Sequence, residues 1–155
     1  MRMPFKKSVF ILAGVLLILS NTGFCETVLQ TQPHNTSDGL DLDLLAVEIR
    51  NDVLTLKFKV RNTGSNKHTW FFHYENCYIM DESNQKKYFP LKDSDGNYIA
   101  GPVYDKDHGG RFWYDILPGK FKGFWIKFPM PAGSPKSITI SIPDVTPFED
   151  VKLGK

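Results

Sequence analysis

From Leu40 onward the chain alternates between apolar and polar positions. LDLDLLAVEIR runs with period two, slips at Leu44–Leu45, and resumes through Leu45, Val47 and Ile49. A one-residue slip inside an alternating run predicts a β-bulge. Asn51 and Asp52 mark a turn, and VLTLKFKVRN then alternates without a break. Leu54, Leu56, Phe58 and Val60 share one face, while Thr55, Lys57, Lys59 and Arg61 share the other, as in a half-buried antiparallel strand. Past the loop TGSNKH, WFFHYENCYIMD reads as one strand, and KYFPL as a short one that Pro90 confines to a sheet edge. RFWYDI and FKGFWIKFPM follow as two strands joined by the turn LPGK, and SITISIP closes the pattern by burying Ile138, Ile140 and Ile142. No segment sustains a helical period. About seven to eight short strands separated by turns predict an all-β, antiparallel β-sandwich.

The two ends depart from this pattern. Residues 1–25 begin with Arg2, Lys6 and Lys7, continue with the apolar run SVFILAGVLLIL, and finish with small and polar residues. That order predicts a signal peptide, and the run is too short for the ~20 residues of a membrane-spanning helix. Cleavage is expected after Cys25, which leaves Cys77 as a lone buried thiol. A cut after Gly23 would instead permit a Cys25–Cys77 disulfide in an oxidising compartment. Thr22-Gly23-Phe24-Cys25 is a poor match to the Leu-Ala-Gly-Cys pattern of lipidated proteins, so a lipid anchor at Cys25 is not the expected fate. Residues 26–39 are polar and aperiodic and predict a flexible leader before a domain spanning residues 40–155. The tail 143–155 contains Pro143 and Pro147, which exclude a regular central strand, yet Phe148, Val151 and Leu153 are apolar. It is expected to fold back over the sandwich, across its aromatic face, or to dock on another chain.

Three strand-and-turn motifs resemble those of an uncharacterised bacterial family of secreted immunoglobulin-like domains. VRNTG closes a long strand, YIMDESNQKKY forms an Asp-turn-Tyr hairpin, and LPGKFKGFWIKFPMP leads from a Pro-Gly turn into a strand ending in Phe-x-x-Pro. The resemblance spans roughly residues 40–143. It implies an immunoglobulin-like sandwich of envelope lipoproteins or secreted antigens, with no general enzymatic activity. The poor lipidation signal and the tail depart from that family. The resemblance carries over no catalytic residues.

Removing residues 1–25 changes the charge. The chain has 19 Lys and Arg against 17 Asp and Glu, for a net charge of +2. Three of the basic residues and none of the acidic ones lie in the first 25 positions, so the remainder carries −1. Nothing in that balance would steer the protein to nucleic acid or an acidic membrane.

KDSDGNY spaces Asp93, Asp95 and Asn97 as a calcium loop spaces its oxygen ligands. Counted from Asp93, however, the glycine falls too early, and Tyr104 stands where a bidentate Glu is needed. Asp95-Gly96 is a favoured turn pair and explains the stretch more simply. DKDHGG adds Asp105, Asp107 and His108, so an ion-binding alternative would draw on Asp93, Asp95, Asp105 and Asp107. His68 and His73 sit at an odd separation and point to opposite faces of one strand. Neither a Gly-x-Ser-x-Gly nucleophile turn nor a His-Glu-x-x-His metal motif occurs. The chain is therefore expected to be non-catalytic and without a cofactor.

Aromatic residues make up 14% of the chain, more than one core face needs. By alternation Phe124, Ile126 and Phe128 point inward and Trp125 outward. Phe112, Tyr114 and Ile116 point inward and Trp113 outward. A short Pro-Gly turn joins these strands, so they are expected to pair as a hairpin and to set Trp113, Phe121 and Trp125 on one outer face. Large amphipathic rings supply contact area at low entropic cost, which makes that face the candidate contact for a partner. The expected role is an exported module of the periplasm or extracellular space. Its partner would be another envelope protein or a glycan. Calcium or glycan binding through the loops is the alternative, and a small secreted enzyme is a more remote one.

Overall fold

The structure, a computed structural model, describes residues 27–104 and 110–154. Within them every strand pairing is antiparallel. The strands are β1 Gln30–Pro33, β2 Leu40–Arg50, β3 Val53–Asn62, β4 His68–His73, β5 Tyr78–Asp81, β6 Lys86–Tyr88, β7 Ala100–Gly101, β8 Arg111–Ile116, β9 Phe121–Pro129, β10 Ser137–Ser141 and β11 Phe148–Lys152. They form a five-stranded sheet β1-β2-β3-β9-β7, a four-stranded sheet β11-β10-β5-β6 and a two-stranded ribbon β4-β8. The all-β architecture is as the alternation predicts, and the arrangement is sandwich-like. No helix among the described residues is long and apolar enough to cross a membrane.

The central strands follow the sequence pattern closely. Leu54, Leu56, Phe58 and Val60 are all buried on one face of β3. β2 and β3 shift register between Leu44 and Ala46, which is the predicted bulge. Asn51 and Asp52 both take positive φ, 51° and 60°, the backbone of a tight hairpin turn. Tilted and edge-on aromatic contacts then join the layers. Phe124 of the large sheet meets Phe72 at 5.4 Å and Phe112 at 5.1 Å, both from the ribbon. Phe58 meets Phe148 of the four-stranded sheet at 5.9 Å. Both smaller sheets thus bury their inner faces in one cluster against the five-stranded sheet.

Four expectations about the strands and the chain ends need correction. There are eleven strands among the described residues rather than seven or eight. The extra ones are short or lack alternation, such as the two-residue β7. Second, WFFHYENCYIMD is not one strand. A 3-10 turn at Tyr74–Asn76 breaks it, sending β4 into the ribbon and β5 into the four-stranded sheet. Tyr74 is fully buried at the break, and its hydroxyl donates to the Pro102 carbonyl at 2.8 Å. Third, part of the flexible leader is a strand: Gln30–Pro33 pairs with β2 from Gln30↔Leu44 to Pro33↔Asp41. The leader also clips to the tail, because Asn35 N–H donates to Asp144 O at 2.7 Å and Thr146 N–H to Pro33 O at 3.3 Å. Fourth, among the described residues the tail covers no outer aromatic face. Phe148–Lys152 adds to the edge of β10 and turns Phe148 and Val151 into the core.

Cys77 is a free, fully buried thiol, and Cys25 lies outside the described residues, as does the expected signal sequence.

Candidate functional site

The Pro-Gly turn forms as expected. Gly119 has φ 69° and the Lys120 N–H donates to Leu117 O at 3.0 Å. The strands on either side of it nevertheless do not pair. β8 takes its register from β4, with Trp113 opposite Phe71, and β9 takes its register from β3, with Trp125 opposite Lys57 and Phe121 opposite Arg61. Asn62 stands between them. Its side-chain amide donates to Ile116 O at 2.8 Å, and its backbone N–H donates to Lys120 O at 2.9 Å. It thereby ties the end of β3 to both sides of the turn.

The single outer aromatic face divides in two as a result. Trp113 belongs to the ribbon. Its ring lies 6.0 Å from Phe71 and 5.2 Å from Tyr104, and the Arg111 guanidinium sits 4.7 Å from its centroid. Phe121 and Trp125 lie on the outer face of the five-stranded sheet, on either side of Gly123. The Lys59 ammonium approaches the Phe121 ring to 5.6 Å, and the Lys127 ammonium approaches the Trp125 ring to 6.0 Å. Phe71 was legible in the sequence, since Trp70 and Phe72 point inward on the same strand. Tyr104 and Arg111 carried no comparable signal.

Trp125 has a second neighbourhood that the sequence did not announce. Gly101 of β7 pairs with Trp125, and a Cβ placed on Gly101 would stand 3.0 Å from Nε1, 3.1 Å from Cε2 and 3.1 Å from Cζ2. Near-equal distances to three joined ring atoms put the glycine backbone under the flat of the indole. Any side chain at 101 would lift the ring. The residues leading into β7 are tied to β9: the Leu91 N–H donates to Lys127 O at 2.9 Å, and the Lys127 N–H donates to Ile99 O at 3.0 Å. Asp93 and Asn97 sit on the loop between those anchors. This arrangement opens a cleft of about 390 Å³ lined by Asp93, Asn97, Ile99, Ala100, Val103 and Trp125, among others.

Asp93 organises its own loop. Its Oδ1 accepts the N–H groups of Asp95 at 3.0 Å and Asn97 at 2.9 Å, while Oδ2 receives the Asn97 amide at 3.3 Å. The backbone N–H of Asn97, aided by its side-chain amide, outweighs what desolvation there is and holds the Asp93 carboxyl below the usual carboxylate range. Gly96 takes φ 84° at the loop tip, with open space around it. KDSDGNY is thus a turn closed by an Asp side chain. Asp95 is exposed, and Asp105, Asp107 and His108 lie outside the described residues. Among the described residues no group of three or more His, Cys, Asp or Glu is placed to hold a metal.

No protein-family model matches the chain, and no curated protein does. Two solved structures are similar at low identity. The yjhA protein from Bacillus subtilis has a TM-score of 0.45 at 12% identity, covering 73% of this chain and 76% of its own. A functionally unknown protein from Listeria monocytogenes has a TM-score of 0.41 at 15% identity, covering 80% of this chain and 87% of its own. Likeness at this level decides neither a family nor a function.

Proposed function

We propose that this protein is an exported, non-catalytic binding module and that the Trp125 cleft is its binding site. One observation carries the reading. The Asp93–Asn97 loop and Trp125 are distant in sequence, yet the β7–β9 pairing brings them to one cleft of about 390 Å³. Small-ligand sites are typically about 300–1,000 Å³, mostly apolar, with a few placed polar groups. Ile99, Ala100, Val103 and Trp125 supply the apolar lining, and Asp93 and Asn97 supply the polar edge. Export rests on the sequence of residues 1–25, and with it a periplasmic or extracellular setting in which an envelope component is the natural partner.

Amide chemical-shift mapping tests the site. The 15N-labelled protein is screened against mixtures of saccharides, short peptides and small metabolites. The expected result is a ligand whose shifts cluster at Asn97, Ile99, Gly101 and the Trp125 indole N–H. Shifts confined to Phe71, Tyr104 and Trp113 would move the site to the ribbon and overturn the assignment. Export is tested by the mature N-terminus in the producing cell, expected at Glu26; a chain that keeps Met1 would remove that part of the reading.

A further inference from the structure

We infer that the Trp125 cleft takes a sugar ring, stacked on the exposed side of the indole, with its hydroxyls bonded at the Asp93–Asn97 edge. The inference rests on the cleft being the binding site and specifies what fills it.

Three features of the cleft select a saccharide. The first is the pose of the ring. Gly101 supports one side of the Trp125 indole, with the would-be Cβ within 3.1 Å of three ring atoms, and 37% of the residue remains exposed. A flat ring seated on backbone on one side offers a preorganised apolar surface on the other. The C–H groups on one side of a pyranose match such a surface. The second is the polar edge. Asp93 Oδ1 accepts two backbone N–H groups, but among the described residues Oδ2 is met only by the long 3.3 Å contact from Asn97. That oxygen retains lone pairs for a hydroxyl donor, and it belongs to a carboxylate whose position the turn has fixed. The third is charge. Lys92, next to Asp93 in the chain, lies over Tyr98 at 4.5 Å, and Lys127 lies near Trp125 at 6.0 Å, so the anionic Asp93 shares its edge with a cation and the indole has another close by. An edge of mixed sign favours a neutral, hydroxyl-rich ligand over an ion.

The obvious rival is a peptide added to the sheet edge, and β7 is built against it. The strand has only two residues, its Ala100 N–H already donates to Tyr98 O at 3.0 Å, and Pro102 has no N–H to offer. Strand addition needs a row of free backbone groups, and this edge lacks them. The volume, near the low end for ligand pockets, fits the end of a saccharide rather than the middle of a long chain.

The test is a titration of the intact protein with glucose, galactose, N-acetylglucosamine and their β-linked disaccharides, up to about 10 mM, a range suited to single-ring affinities. Trp fluorescence and the ring-current shifts of the sugar protons are followed together. The expected result is saturable binding by at least one saccharide with upfield-shifted sugar protons. Trp125→Ala should weaken it at least about tenfold. Gly101→Ala, which lifts the indole, should weaken it as well, and Trp113→Ala should leave it unchanged. Trp125→Phe keeps a smaller stacking surface and should bind at an intermediate level, which guards against a folding defect in the alanine variant. If a peptide or metabolite shifts the Trp125 indole N–H while no saccharide does, the saccharide inference falls and the cleft stands as a site. Saccharide binding that survives Trp125→Ala and Gly101→Ala overturns both.

Discussion

The side-chain amide of Asn62 donates to the carbonyl of Ile116 at 2.8 Å. The same amide donates to Asn66 O at 2.7 Å, and its Oδ1 accepts the Gly64 N–H at 3.0 Å. Asn62 is only 2% exposed and its bond to Ile116 is buried, so water cannot replace that bond. Asn62→Ala would strand the buried Ile116 carbonyl, at about 1–3 kcal/mol for a buried group left unpaired. Urea denaturation should show a loss of about 2 kcal/mol. A loss under half that size would mean that water reaches the Ile116 carbonyl once the Asn62 amide is gone.

Asp43 and Arg61 form a second polar contact, buried at the carboxylate and part-exposed at the guanidinium. Asp43 is 1% exposed, and its Oδ1 accepts from the Arg61 guanidinium at 2.9 Å and from the Thr31 hydroxyl at 2.7 Å. Burial pushes the Asp43 carboxyl up, but hydrogen bonds from Arg61 and Thr31 together with the Arg61 charge outweigh it and hold the carboxyl below its ordinary value. A carboxylate with a depressed pKa stabilises the fold above its unfolded pKa, and that contribution is lost as pH falls through the folded one. Arg61→Ala removes the nearest counter-charge and two hydrogen bonds from the carboxylate, while Thr31 and Lys59 remain, and should cost about 1–2 kcal/mol at neutral pH, since Arg61 is itself part-exposed. Losing the Arg61 contributions raises the Asp43 pKa, so the gap from wild type should narrow below about pH 4. Paired denaturation curves at neutral and acid pH measure both effects; a gap constant with pH would contradict this account.

His34 makes the leader–tail contact sensitive to acid. Its Nδ1 accepts the Thr36 N–H at 3.3 Å, and its Nε2 is buried with no hydrogen-bond partner among the described residues. The ring stands edge-on to Trp70 at 5.4 Å. Desolvation lowers its pKa from the ordinary 6.5; Asp144 opposes the shift and His68 adds to it. Below pH 6.5 the unfolded chain takes up a proton that the folded chain resists, so stability falls as pH drops toward the lowered value. His34→Gln should flatten the fall in Tm between about pH 7 and pH 5 relative to wild type. Parallel Tm profiles for the two proteins would refute the assignment.

Cys77 should be inert in the native state. It is fully buried, and burial pushes its thiol well above the ordinary range, so almost no thiolate forms. Iodoacetamide should leave Cys77 unmodified in native buffer and label it fully in denaturant, as read by peptide mass spectrometry. Rapid native labelling at Cys77 would show that the core opens around β5.

Much of the candidate site was legible one residue at a time and not as a site. The outward direction of Trp125 and the turn at Asp95-Gly96 followed from local pattern. Their meeting did not, because it depends on backbone bonds from Leu91 and Ile99 to Lys127, across more than twenty residues of chain. Gly101 carried only the weak signal of a glycine before a proline, and its role depends on which ring lies over it.

The same division runs through the whole fold. Alternation in VLTLKFKVRN, the slip at Leu44–Leu45 and the Asn51-Asp52 turn are local properties, and a period of two sets which face each side chain takes whatever the partner strand. The sequence by itself therefore determined the all-β class, the central strands and most of their buried faces. Pairing partners are a different quantity, because they depend on which distant backbone groups are still free. β8 pairs with β4 and β9 with β3, with Asn62 donating to the Ile116 and Lys120 carbonyls between them, and Trp113 is parted from Trp125. The leader and tail show the same thing from the other side. Neither Gln30–Pro33 nor Phe148–Lys152 has an alternating pattern strong enough to predict a strand, yet β2 and β10 present open edges that both ends complete.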